Sequence, residues 1–176
     1  MKIGLLTAGS DSPGVNAAIR GFGKAASNVP DVQLIGFRDG FEGLVENRTI
    51  NLLTEGLLSG ILTEGGTILG TSRQVPSAMR QGDDLVDRTE MAIDAYKKNK
   101  LDALVCIGDK STQAAAYKLS QVGLNVVTLP RSAENDVPMT DKCIGFDSAR
   151  EIATQAIDRL HTTANATHRI MIVELL

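Results

Sequence analysis

Lys2-Ile3-Gly4-Leu5-Leu6-Thr7-Ala8-Gly9-Ser10-Asp11-Ser12-Pro13-Gly14 opens the chain. A short apolar run meets glycine, serine, aspartate and proline at once, which is the pattern of a buried strand ending in a tight turn. Ser12 before Pro13 suits an N-cap followed by proline at the first helical position. Val15, Ala18, Ile19, Phe22 and Ala26 then recur at helical spacing. Strands and helices alternate along the rest of the chain, with no internal repeat in the sequence. Apolar runs predict further strands at residues 32–37, 101–107, 124–129 and 169–176. Helices are expected at residues 55–62, from an Asp87/Glu90 capping box to about Lys98, and at residues 111–122 with Ala115, Leu119 and Val122 inward. A Ser148/Glu151 box predicts one more helix, with Ile152, Ala156, Ile157 and Leu160 on one face. The alternation predicts a doubly wound, mostly parallel sheet with helices on both faces, a Rossmann-like α/β fold. Residues 64–84 form the one long irregular segment, and loops of that length in a compact domain are usually functional.

The 176 residues, 43% hydrophobic, suffice for one cored domain over residues 1–176 and are too few for two of full size. Eighteen basic and 21 acidic side chains give a net charge of −3, which is not the footprint of a general nucleic-acid binder. Aromatics are 3% and tryptophan is absent, so base-stacking platforms are not expected either. No apolar run reaches the length of a membrane span, and the N-terminus has no signal-peptide layout. Cys106 and Cys143 sit in apolar segments at no metal or redox spacing and read as small core hydrophobes. A reducing cytoplasm is the expected setting.

In an open parallel sheet, ligands sit at the carboxyl ends of the strands. Three segments end strands in unusual composition: Gly9 to Gly14, Gly108-Asp109-Lys110-Ser111-Thr112, and Pro130 to Asp136. The first two lead into helices, whose N-termini offer unpaired N–H groups and a positive dipole end to phosphate. Gly108 to Thr112 lacks the earlier glycine of a Walker A loop, so that reading is rejected. Glu134, Asn135 and Asp136 also suit a solvated turn. Three such loops at one sheet edge favour a ligand site.

These motifs, in order and register, resemble the N-terminal half of the 6-phosphofructokinases over the whole chain. Thr7 to Ala17 is similar to the family's first phosphate loop, and Gly65-Gly66-Thr67-Ile68-Leu69-Gly70-Thr71-Ser72-Arg73 matches its next signature. Glu134-Asn135-Asp136 lies at the catalytic turn, and Ile144-Gly145-Phe146-Asp147-Ser148-Ala149 follows at the family spacing. The resemblance implies magnesium-assisted phosphoryl transfer from ATP or pyrophosphate to fructose 6-phosphate. It implies donor binding by Gly9, Ser10, Asp11, Arg73, Gly108, Asp109, Lys110, Ser111 and Thr112, with Glu134 and Asp136 at the catalytic positions. Arg20 and Lys24 resemble effector-binding positions, but a solvated helix face is the favoured reading for them, as for Arg159; His161 and His168 read as surface residues.

The departures from the family are concentrated at the reactive edge. Ser10 replaces the second glycine of a Gly-Gly-Asp turn, Lys110 replaces the aspartate that serves magnesium, and Glu134 stands at the position of the general base. Lysine supplies charge but cannot hold magnesium, so no metal ligand is assigned. The extra methylene of Glu134 moves the carboxylate by roughly 1 Å, a shift that can cost about a hundredfold. Ser10, Asp109 and Ser111 add atoms where glycine lets phosphate approach. Two readings follow: a phosphotransferase half with strongly impaired transfer, or a catalytically silent scaffold redesigned for folding or binding. Small phosphorylated ligands are the only expected partners. The apolar Ile170-Met171-Ile172-Val173 is expected to join the chain's own sheet in a monomer, with a strand-paired homodimer as the alternative.

Overall fold

The structure is a computed structural model and describes residues 1–175. Its centre is β1 (Lys2–Ala8), buried on both faces from Leu5 onward. Because successive strand residues point to opposite sides, Leu5 and Leu6 enter two different apolar clusters. On the first side α1 (Val15–Ser27) lays Val15, Ile19 and Ala26 over Leu5, Leu34, Val105 and Ile107. On the other, α2 (Gly40–Val45), α3 (Thr89–Lys98) and α4 (Lys110–Gln121) bury Phe41, Leu44, Ala92, Ala115 and Leu119 against Leu6, Leu104 and Cys106. Each fully buried leucine or phenylalanine contributes about 1.5–3 kcal/mol, so both layers are needed to hold the sheet.

On one side of β1 lie β2 (Gln33–Phe37) and then β3 (Thr49–Asn51), on the other β6 (Ala103–Gly108) and then β7 (Val126–Pro130), so the sheet runs β3-β2-β1-β6-β7, with β2, β6 and β7 parallel to β1 or its neighbours. Helices cover both faces, as the alternation predicts. The chain first builds outward from β1 through β2, then returns to build β6 and β7 on the other side. The direction therefore reverses between β1 and β6, and the carboxyl ends of those strands border a crevice.

Several local expectations are corrected. A short α2 and an antiparallel edge strand, β3 (Thr49–Asn51), stand where no element was expected. Residues 55–62 are turns leading into a 3-10 turn at Ile61–Thr63, because Gly56 (φ 81°) and Gly60 (φ 80°) take left-handed backbone that ends a helix. The irregular 64–84 stretch carries β4 (Met79–Gln81), which pairs with β5 (Asp84–Val86) in a separate hairpin. The first helix starts at Val15 with Gly14 in the capping place, not at Ser12. The third starts at Thr89, with the Asp87 carboxylate accepting the Thr89 N–H at 2.8 Å.

The largest correction is at the C-terminal end. Helix α5 (Phe146–Thr167) begins two residues before Ser148 and has no buried residue. Residues 169–175 form no strand, Ile170 and Ile172 are over nine-tenths exposed, and Leu176 lies outside the described residues. Among the described residues β7 pairs only with β6. An apolar run satisfies the pattern of a strand, but without a ladder partner it remains coil. The run instead meets α5 at a shallow hollow bordered by Ile157, Leu160, Met171 and Val173.

Candidate functional site

The turn after β1 and the segment Gly65–Arg73 are stitched together by hydrogen bonds. The Gly9 N–H donates to Ser72 O at 2.9 Å, the Thr71 hydroxyl to Gly9 O at 2.8 Å, and the Thr7 hydroxyl to Gly70 O at 2.6 Å. Asn16, buried on α1, holds the same segment from the other side through Glu64 O, Gly65 O and the Ile68 N–H. These bonds carry Arg73 to the rim of a cavity of about 490 Å³. Ser10 and Asp11 of the first turn, Asp109, Lys110 and Ser111 of the second, and Glu134 and Asp136 of the third line that cavity. The structure therefore brings the three loops together with Arg73. Of the other expected positions, Gly9, Gly108 and Thr112 are buried and do not line the cavity.

Asp109 caps α4. Its carboxylate accepts the backbone N–H groups of Ser111 at 3.0 Å and Thr112 at 3.1 Å, the Ser111 hydroxyl at 2.6 Å, and the Ser10 N–H at 3.2 Å from the opposite loop. Burial pushes its pKa up. The bonds from Ser111, Thr112 and Ser10, with the positive charge of Arg131, outweigh burial and hold the carboxyl below its usual range.

Lys110, the next residue, reaches across the cavity mouth and donates to Asp136 Oδ2 at 2.8 Å. The Ser132 hydroxyl donates to Asp136 Oδ1 at 2.6 Å. The hydrogen bond from Lys110, then that from Ser132, holds Asp136 below the usual carboxylate range, and the same pairing raises Lys110. Glu134 is exposed on the turn, its N–H bonded to Ser132 Oγ at 3.1 Å. Asn135 faces away from the cavity and clips the following loop, bonding Asp141 O and the Cys143 N–H.

Magnesium, which the family resemblance implies, does not fit these residues. Lys110 holds the carboxylate of Asp136, the α4 terminus engages that of Asp109, and no group of three His, Cys, Asp or Glu side chains converges among the described residues. Arg131 and Ser132 belong to the third loop, but the sequence assigns neither a role of its own. Both are buried, and the Arg131 guanidinium bonds Ala8 O at 2.5 Å beneath the first turn. An arginine after a strand gives no sequence signal of burial. Arg20 and Lys24 border a separate cleft of about 280 Å³ formed with residues 52–59; the Arg20 guanidinium bonds Leu58 O, and Lys24 is exposed.

The phosphofructokinase family pattern matches residues 2–176. The chain is 52% identical to the ATP-dependent 6-phosphofructokinase of Propionibacterium freudenreichii, covering 100% of this chain and 47% of that protein. It is 44% identical to ATP-dependent 6-phosphofructokinase 3 of Bacteroides thetaiotaomicron, covering 100% and 52%. It thus spans about half the length of these curated relatives. The solved phosphofructokinase of Saccharomyces cerevisiae superposes with a TM-score of 0.78 at 26% identity, over 94% of this chain and 24% of that one. The three loops at the β1–β6 crevice, the order of the motifs and the match over nearly every residue agree, and the chain belongs to the phosphofructokinase family.

Proposed function

We propose that this chain is the phosphoryl-donor half of a 6-phosphofructokinase and that, alone, it holds phosphorylated ligands without transferring the phosphoryl group. The observation that carries this reading is the Lys110–Asp136 pair at 2.8 Å. Phosphoryl transfer depends on positioning and on neutralising phosphate charge, with a carboxylate free to orient the acceptor hydroxyl. Here a cation of the protein itself engages the Asp136 carboxylate, and Glu134 is exposed with one more methylene than the family base. Arg73 and the start of α1 remain for phosphate contact, and α1 offers a helix N-terminus without a side-chain cap. ATP or pyrophosphate is the proposed donor class. Small phosphorylated molecules are the proposed partners, the monomer is the proposed state, and the cytoplasm is the proposed setting, in keeping with two free buried cysteines.

The test is a coupled assay of the purified chain with fructose 6-phosphate, magnesium and either donor. No turnover above the protein-free control is expected. Magnesium-dependent product formation that scales with protein concentration would refute the proposal.

A further inference from the structure

We infer that the Asp109 carboxylate is a built-in anion occupying the phosphate nest between the first turn and α4, so that a phosphate anion enters that nest only by displacing it. The inference rests on the reading of the cavity as a phosphate site and names the residue that controls entry.

Three observations carry it. First, the donors around Asp109 are those a phosphate oxygen would use. They are two successive N–H groups at a helix start, a third from Ser10 and the Ser111 hydroxyl, all turned on one carboxylate. Second, the space is the one that glycine leaves. Gly9 has φ 93°, and a Cβ built there would collide with the Asp109 carboxylate oxygen. The carboxylate therefore sits in the gap through which a ligand would approach the Gly9 backbone. Third, Arg131 lies beneath the same turn with only 1% exposure, and among the described residues its Nε and Nη1 have no partner. Its one side-chain bond goes to Ala8 O, and the charges acting on it are those of Asp109 and Asp11. A buried guanidinium with free N–H groups calls for an anion. Asp109 meets that demand from a distance, without a direct ion pair.

An anion placed in the nest with Asp109 present would meet like charge and find its donors taken. Removing the carboxylate frees at least three charge-assisted hydrogen bonds and leaves the buried charge of Arg131 without that neighbouring anion. The ligand class is a tetrahedral phosphate anion, as inorganic phosphate or the end of a longer phosphate chain.

The experiment titrates inorganic phosphate into the ¹⁵N-labelled chain, following the amides of Ser10, Ser111 and Thr112 against sodium chloride at matched ionic strength. Asp109→Gly opens the nest fully, and Asp109→Ser keeps a helix cap with a short neutral side chain in case the glycine variant unfolds. The expected result is saturable shifts at these three amides in the variants, at least about tenfold tighter than in the native chain. Native binding at the same amides as tight as in Asp109→Ser overturns the inference and leaves the phosphate-site reading intact. Shifts in the variants confined to the start of α1 do the same. No response at any amide, in any of the proteins, overturns both.

Discussion

Asn16 is the residue through which α1 positions the loop that carries Arg73, and its replacement by leucine tests that connection. The side chain is 2% exposed. Its Nδ2 donates to Gly65 O at 3.1 Å and Glu64 O at 3.3 Å, and its Oδ1 accepts the Ile68 N–H at 2.8 Å. A hydrogen bond nets about 1 kcal/mol, and a buried group left without a partner costs about 1–3 kcal/mol. Asn16→Leu keeps the branching and the number of heavy atoms, removes all three bonds and denies the space to water. The sum is a loss of about 3–4 kcal/mol. Asn16→Ala leaves room for a water that can bond Ile68 and one carbonyl, so it loses only about 1–2 kcal/mol. Urea unfolding followed by circular dichroism gives both values. A thermal scan should lower Tm by roughly 6–16 °C for the leucine variant at about 2–4 °C per kcal/mol. The reasoning fails if Asn16→Leu is at least as stable as Asn16→Ala, or lies within about 0.5 kcal/mol of the native chain.

Two further outcomes follow from the structure. Lys110→Met should raise the titration midpoint of Asp136, read by carbon NMR of its carboxyl; since a depressed pKa stabilises the fold above the unfolded value and that contribution fades as pH falls through the folded one, the variant should also lose less stability on acidification, and an unmoved midpoint would refute the pairing. A chain ending at His168 should keep a single cooperative transition within about 1 kcal/mol of the native one, because residues 169–175 form no strand, and loss of the transition would show that they belong to the core after all.

The central strands were legible because they are apolar runs too short for helices, and α4 because a polar residue, then alanine and leucine at helical spacing, announces a capped amphipathic helix. The small elements were not. Six residues of α2 hold less than two turns, and β3 has three residues, so neither carries a period to read. Helix starts were misplaced wherever glycine took the capping position, at Gly14 and Gly145, since a backbone conformation replaced the expected serine. At the site, the loops were legible one by one from their composition. Their joining was not, because the Ser10–Asp109 bond links residues 99 apart and the Lys110–Asp136 pair residues 26 apart. The tail was misread for the converse reason: pattern reports which residues could pair, and pairing also requires a neighbour within reach.

The sheet order also sets a timetable for folding. β1 is made first, yet one of its two neighbours, β6, pairs Ala103 with Ile3 across about 100 residues of chain. At about 5–20 residues per second on the ribosome, β6 appears roughly 5–20 seconds after its partner. Through that interval β1 has only β2 beside it, and a strand meant for the interior presents one bare edge and uncovered leucines. Closing so long a loop is slow even for the complete chain. Conditions that shorten the wait, or a chaperone that shields β1 during it, should therefore govern the yield of native protein more than any single contact in the finished fold.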